Sequence, residues 1–314
     1  MTPTPLKLAM LGMIPGNGHP YSWSAIINGQ YDREAMAQCP YPVIPVYLGA
    51  QPYEQVGIPG AKVTHIWTDH PAEAHDVARA ARIDHVVECP EAVIGKVDGV
   101  IISTDDGTDH TRRARPFVEA GLPVFIDKPL ATTRGECLTF ARWHREGARL
   151  LSSSGLRYSP DWQPLAGRDW RWITSTTGKT WERYGIHALE PVFKLLGPGF
   201  ETAFTTGDDA STLVNLTHQS GAKATIAVLP DLPASAGVLH AYGREEQVSL
   251  KMSDTYSAFR GQMVAVVEWM RTGRDPYPFE ETLELMAILI AGIESRGQGS
   301  PIAVTPILNS LKTP

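Results

Sequence analysis

Cysteine is scarce in this 314-residue chain: Cys39, Cys89 and Cys137 are the only three. Their odd number, scattered positions and lack of a Cys-x-x-Cys spacing argue against a disulfide framework and give no zinc-ligand pattern, so no metal is expected and a cytoplasmic protein fits. Positive charge is also in short supply. With 28 Lys and Arg against 34 Asp and Glu, the net charge is −6, which removes the footprint of a nucleic-acid binder. No apolar run is long enough for a bilayer, because Leu283 to Ile293 is short and carries Glu284. The early run Leu8 to Ile14 is broken by Gly12 and followed by Pro15-Gly16 without a small-residue cleavage site, so it reads as a first strand and not a secretory signal. Internal repeats and low-complexity tracts are missing too. What is left is an ordinary globular composition, 43% hydrophobic and 20% charged, and the expectation of a small-molecule partner. The length exceeds what one core usually serves, which predicts two domains.

The first half alternates strand-like and helix-like segments, the pattern of a parallel sheet with helices on both faces. Strands are predicted at Leu6 to Leu11, Val63 to Thr68, His85 to Val87, Val97 to Ser103, Pro123 to Asp127 and Arg149 to Ser154. Helices are predicted at Tyr21 to Gln30, with Ser22 as cap, at Pro71 to Ala81 and at Thr133 to Gly147. Another helix begins near His110, and its interior Pro116 should kink or shorten it. The proline- and glycine-rich segment Pro40 to Gly60 reads as an inserted loop with one strand at Val43 to Leu48. The second half changes character. Strands within Thr202 to Val228 and Ser235 to Lys251, then helices at Arg260 to Arg271 and Glu280 to Ser295, predict an α+β domain on a mostly antiparallel sheet. The boundary is placed at 155/156, giving domains 1–155 and 156–314.

Chemistry gathers where the strands end. After the first strand the chain runs Gly12-Met13-Ile14-Pro15-Gly16-Asn17-Gly18-His19-Pro20-Tyr21-Ser22. A loop between a strand and a helix N-terminus is where a pyrophosphate meets free N–H groups and the positive end of the helix dipole, although a plain turn reads equally well. Counted from Gly12, the second and third positions of a Gly-x-Gly-x-x-Gly loop hold Ile14 and Asn17, so Gly16, Gly18 and His19 are left to rebuild a phosphate contact. Asp69 follows the second strand, where a carboxylate either accepts the two hydroxyls of an adenosine ribose or caps a helix in solvent. The acidic turn Ser103-Thr104-Asp105-Asp106-Gly107-Thr108-Asp109-His110 lacks the ligand spacing and terminal Glu of a calcium loop.

The fifth strand, Leu122-Pro123-Val124-Phe125-Ile126, delivers Asp127-Lys128-Pro129 at its carboxyl end, the edge where open α/β sheets place ligands. The stretch Tyr184 to Gly197 has helical spacing and a glycine stop. Pro191 is tolerated only in a first turn, so this helix should start near His187 and put His187 and Glu190 together at its mouth.

These motifs together resemble the Gfo/Idh/MocA family of nicotinamide-dependent oxidoreductases. The resemblance spans nearly the whole chain and rests on Asp127-Lys128-Pro129, Gly155-Leu156-Arg157-Tyr158-Ser159-Pro160 and the Gly-x-His pattern at His187, with Glu190 in the usual Asp place. It implies a Rossmann dinucleotide-binding domain followed by an α+β domain with an open sheet that makes a homodimer or homotetramer. The implied cofactor is NAD, with NADP not excluded. Its contacts would be Gly12, Met13, Ile14, Gly16, Gly18, His19, Ser22, Asp69, Ser103, Thr104, Asp105, His110, Asp127 and Lys128. Lys128 and His187 would be the catalytic pair, and Arg157, Tyr158, Arg183, Tyr184 and Glu190 would face a carbohydrate-like substrate. One departure stands out: Arg183 occupies a position, one helical turn before His187, where many members have Asp. An arginine there suits a carboxylate or phosphate, hence a sugar acid, or else forms a surface ion pair. The implied activity is dehydrogenation of a CH–OH carbon of a sugar, polyol or sugar acid. A redox-neutral, NAD-retaining isomerase or glycosidase and a non-enzymatic sensor are the alternatives. Trp162, Trp170, Trp172 and Trp181 are either sugar-stacking platforms or core.

Overall fold

The computed structural model describes residues 4–232 and 236–313. Six strands form the first sheet: β1 (Leu6–Leu11), β2 (Ala61–Trp67), β3 (His85–Val86), β4 (Gly99–Ile102), β5 (Val124–Ile126) and β6 (Leu150–Ser152). All pair in parallel in the order β3-β2-β1-β4-β5-β6. Gly-Val-Ile-Ile in β4 and Val-Phe-Ile in β5 are wholly buried, as expected of strands covered on both faces. Helices α1 (His19–Asn28), α2 (Arg33–Ala37), α3 (Val43–Gly49), α4 (Pro71–Ala81), α5 (His110–Glu119) and α6 (Arg134–Arg145) connect them. Strand order reverses between β1 and β4. The loops after these two strands therefore flank the crevice in which such sheets bind ligands.

The second sheet contains β7 (Trp170–Thr177), β8 (Phe200–Gly207), β9 (Thr212–His218), β10 (Lys223–Val228), β11 (Val238–Gly243), β12 (Gln247–Lys251) and β13 (Ile302–Ala303). Their order is β12-β11-β7-β10-β9-β8-β13, antiparallel except for the β7–β10 pair. Helices α7 (Trp181–Leu196) and α9 (Phe279–Gln298) cover one face, and α10 (Val304–Lys312) packs on α9 and α6. Trp181 is fully buried and donates its indole N–H to the Leu289 carbonyl at 2.9 Å. A methyl group at Gly292 would fall 2.5 Å from that indole nitrogen, so glycine there allows α7 and α9 to meet. The other face is open and leaves Trp172, Leu213 and Tyr242 about two-fifths exposed. Trp162 and Trp170 are buried with their indole N–H groups on carbonyls, so three of the four tryptophans are core. Helix α8 (Thr255–Thr272) returns to the first sheet, where Met263, Val266, Val267 and Met270 join Leu8, Met10 and Ile26 of β1 and α1 in one apolar cluster.

Several expectations need correction. The insert forms a helix at Val43–Gly49 and no strand there. Pro42 and Pro45 both sit where helical N–H groups lack intrahelical acceptors, and Ile44 and Leu48, one turn apart, are the buried pair. Helix α1 starts at His19, with Gly18 at its cap and Pro20 in its first turn, so Ser22 lies inside the helix and does not cap it. Helix α7 starts at Trp181, where the Thr180 hydroxyl accepts the Arg183 N–H. Pro191 is therefore interior, and His187 sits mid-helix and not at its mouth. In α5, Pro116 is interior and the helix runs through it. Ser235, the expected start of a strand region, lies outside the described residues.

Candidate active site

The end of β5 is the centre of the site. Lys128 is buried, and its Nζ lies 3.4 Å from Asp105 Oδ2, 3.7 Å from Asp127 Oδ2 and 5.1 Å from the centre of the Tyr184 ring. Burial works against its charge, but the Asp127 and Asp105 carboxylates outweigh that and raise its pKa. The two carboxylates thus favour the charged ammonium beside the tyrosine ring. Asp105 has its other oxygen 2.6 Å from Arg183 Nη2. Burial pushes its carboxyl up, yet Lys128 and Arg183 reverse this and hold it well below the usual range.

His187 projects from α7 toward the same place, with its ring edge on Tyr184 and its Nδ1 2.7 Å from Ser154 Oγ. Burial, then Lys128 and His19, push its pKa far below that of free histidine, so it is neutral at physiological pH. Ser154 is itself fixed: its N–H donates to Glu190 Oε1 at 3.0 Å. Glu190 Oε2 accepts from Arg157 at 2.8 Å, and Arg157 also meets Glu281 and stacks 3.7 Å over Tyr277. Arg157 and Glu190 are spent on each other as a buried support for Ser154. Tyr158 is part-buried, and its hydroxyl is shielded beside Ser153.

The loop after β1 divides the site. On one side, Gly12 has φ +91°, and a methyl there would fall 2.8 Å from Thr104 Cγ2 and 3.1 Å from Arg113 Nη1. Asp69 accepts from the Met13 N–H at 3.2 Å and from both terminal nitrogens of Arg113. Ile14, Asp105, Asp106, Thr132 and Arg183 line a cleft of about 260 Å³. Buried Thr104 Oγ1 and Arg183 Nε have no hydrogen-bond partner among the described residues. Asp69, the orphaned Thr104 hydroxyl and two guanidinium groups suit a ribose and a pyrophosphate, and to that extent the residues fit a dinucleotide.

On the other side, Gly16, Gly18, His19 and Ser22 line a separate chamber of about 340 Å³ together with Tyr41, Tyr47, Tyr184 and His187. His19 Nδ1 lies 2.7 Å from Asp127 Oδ2, and Asn17 donates to Asp127 and to the Ser103 carbonyl. Ser103 Oγ donates to the Gly12 carbonyl at 2.7 Å. His110 is wholly buried between the Thr104 and Leu130 carbonyls, so Ser103 and His110 shape the loops from beneath. The second half closes on this loop through two cations, Arg183 on the Pro15 carbonyl and Lys179 on the Gly16 carbonyl. Sequence reasoning missed Lys179, Arg113 and Asn17. Their partners lie far along the chain, and no spacing signals them.

Fold and site together define an α/β protein with a Rossmann-like parallel sheet and a second, mostly antiparallel sheet, with a lysine ending the fifth strand and a helical histidine delivered by the second half. Residues 48–153 match the family GFO_IDH_MocA, described as an oxidoreductase family with an NAD-binding Rossmann fold, and this segment belongs to that family. Inositol 2-dehydrogenase 1 of Saccharopolyspora erythraea is 34% identical over 105 residues, 32% of this chain and 31% of that protein. The matched segment thus spans about a third of the curated relative. The solved scyllo-inositol dehydrogenase of Lactobacillus casei superposes with a TM-score of 0.73 at 14% identity, covering 97% of this chain and 100% of that one. An oxidoreductase of Agrobacterium radiobacter, solved with NAD+, L-tartaric acid and magnesium, superposes with a TM-score of 0.69 at 16% identity, covering 97% and 100%. The shared fold extends over both halves. Among the described residues no helix is long and apolar enough to cross a membrane, and no cluster of His, Cys, Asp and Glu could hold a metal ion.

Proposed function

We propose that this protein is an NAD-dependent oxidoreductase acting on the CH–OH carbon of a polyol-like substrate. The observation that carries this reading is the pairing, at one end of β5, of a lysine kept charged by two carboxylates with a histidine kept neutral by burial. Asp69 would take the adenosine ribose, and Thr104, Arg113 and Arg183 the phosphates. NAD, when bound, supplies the hydride acceptor. In the tautomer protonated at Nδ1, toward Ser154 Oγ, His187 would have Nε2 free to take the alcohol proton. Lys128 supplies positive potential for the developing alkoxide. A neutral polyol suits the site better than a sugar acid, because Arg183 lines the cleft on the nucleotide side and not the chamber. The open face of the second sheet, with Trp172, Leu213 and Tyr242, would be covered by a second copy of the chain.

The test is reduction of NAD by the purified protein with myo-inositol, scyllo-inositol and related polyols, followed as NADH absorbance. Turnover should fall about 100-fold or more in His187→Ala. Product formed with no net NADH would instead make the enzyme redox-neutral, and failure to bind NADH would remove the dehydrogenase reading altogether.

A further inference from the structure

In a dinucleotide-binding loop, glycines let a pyrophosphate approach the helix N-terminus. In this chain that space is filled from within. A methyl group at Gly18 would fall 2.7 Å from Tyr41 and from Ile44 Cδ1, so the close approach that this glycine permits is to the inserted helix α3. The His19 N–H at the start of α1 is taken by Asn17 Oδ1 at 2.9 Å, and Pro20 has none to offer. The helix end is left with little to give an anion.

His19 is held in a defined way. Asp127 accepts from the Lys128 N–H, from Asn17 Nδ2 and from His19 Nδ1. The imidazole therefore donates its Nδ1–H to Asp127, which turns Nε2 away from that carboxylate. Its ring stacks on Trp23 at 4.1 Å and meets the edge of Phe259 at 5.4 Å. Its remaining edge lines the chamber, whose other walls include Tyr41, Ile44, Tyr47, Leu156, Met252 and Phe259. The described lining residues include no arginine or lysine, so a phosphate placed there would lose hydration with no such cation to offset it. A ring-sized apolar group would not.

We infer that this loop is the wall of a substrate chamber, not a phosphate cradle, and that His19, oriented by Asp127, hydrogen-bonds through Nε2 to a hydroxyl of a substrate carrying a ring-sized apolar substituent. The inference rests on the dehydrogenase reading only for the identity of the reaction. The site itself is tested without turnover. Diethyl pyrocarbonate should modify His19, located by peptide mass mapping, and benzyl alcohol should slow that modification several-fold while ADP and inorganic pyrophosphate leave it unchanged. Protection by ADP or pyrophosphate, or no protection by benzyl alcohol, would overturn the inference. In His19→Phe, which keeps the stack on Trp23, NADH affinity should stay within about two-fold of the parent while the Michaelis constant of any alcohol it oxidises rises about ten-fold. A large loss of NADH affinity in a variant that still melts like the parent would return His19 to the phosphate loop. If the parent itself binds no NADH, the dehydrogenase reading fails, and the protection experiment alone decides the chamber.

Discussion

Asp105 and Lys128 meet at 3.4 Å inside the protein, and Arg183 of helix α7 holds the other oxygen of the same carboxylate. One buried anion thus ties together the β4 loop, the end of β5 and helix α7. Asp105→Asn would leave two cations facing an amide in a buried place, which should cost about 3–5 kcal/mol, read from urea unfolding near neutral pH. The sign with pH follows from the lowered carboxyl. Its stabilisation is complete above the unfolded value of about 3.9 and fades as the pH falls toward the lower folded value. The gap between parent and variant should therefore narrow in strong acid. A gap that persists undiminished there would show that something other than the charge of Asp105 holds these elements.

His187 is lowered by burial first and then by Lys128, His19 and Lys179, with Asp105 opposing. Because the folded state resists protonation, its contribution destabilises the fold increasingly as the pH drops below about 6.5, where the unfolded chain takes up a proton. Turnover should accordingly stay flat through that region and decline only well below it. Removing the charge that lowers it most, in Lys128→Met, should move the acid limb of the rate profile upward, toward the value of a free histidine. A limb that stays in place would dissociate the lysine from the histidine.

Much of this architecture was legible because it is local. The all-apolar runs of β4 and β5 and the Asp127-Lys128-Pro129 end announced a parallel sheet and its reactive edge, and α4 and α6 carried readable starts at Pro71 and Thr133. What was illegible depends on partners distant in sequence. His19 meets Asp127 across 108 positions and Arg113 meets Asp69 across 44, so neither the oriented imidazole nor the occupied carboxylate could be seen from spacing. Pro191 misplaced the start of α7 because tertiary packing of Trp181 and the Thr180 cap outweigh one missing helical bond. The insert misled through its valines and prolines, which suggest an extended chain until Ile44 and Leu48 are seen to share one buried helical face.

Gly12 is one of two positions of the β1 loop, with Gly16, at which a left-handed φ calls for glycine. Its φ of +91° is unfavourable for any side chain, and an added methyl would press on Thr104. Gly12→Ala should lower stability by about 1–3 kcal/mol, seen as a lower melting temperature. Since the residue sits between Asp69 and Thr104, NADH affinity should fall with it. Normal NADH binding in a destabilised variant would separate the turn from the cofactor site.

Asp69 is bound by Arg113 on both oxygens and by the Met13 N–H, so it does two things at once. Its carboxylate is placed to accept the adenosine ribose hydroxyls and to repel a 2′-phosphate, and it also neutralises a guanidinium that would otherwise welcome that phosphate. Asp69→Ala removes the acceptor and in the same step releases the two terminal nitrogens of Arg113, whose Nε stays on Asp109. Affinity for NADH should fall while affinity for NADPH rises or holds, so that the ratio between the two shifts by about ten-fold or more toward NADPH. Arg113→Met in the same background should abolish the gain, because the freed guanidinium is its source. Titration of both nucleotides against the parent, the single variant and the double variant decides the matter. Equal weakening of NADH and NADPH in Asp69→Ala would mean that the carboxylate only anchors Met13 and Arg113 and does not read the ribose.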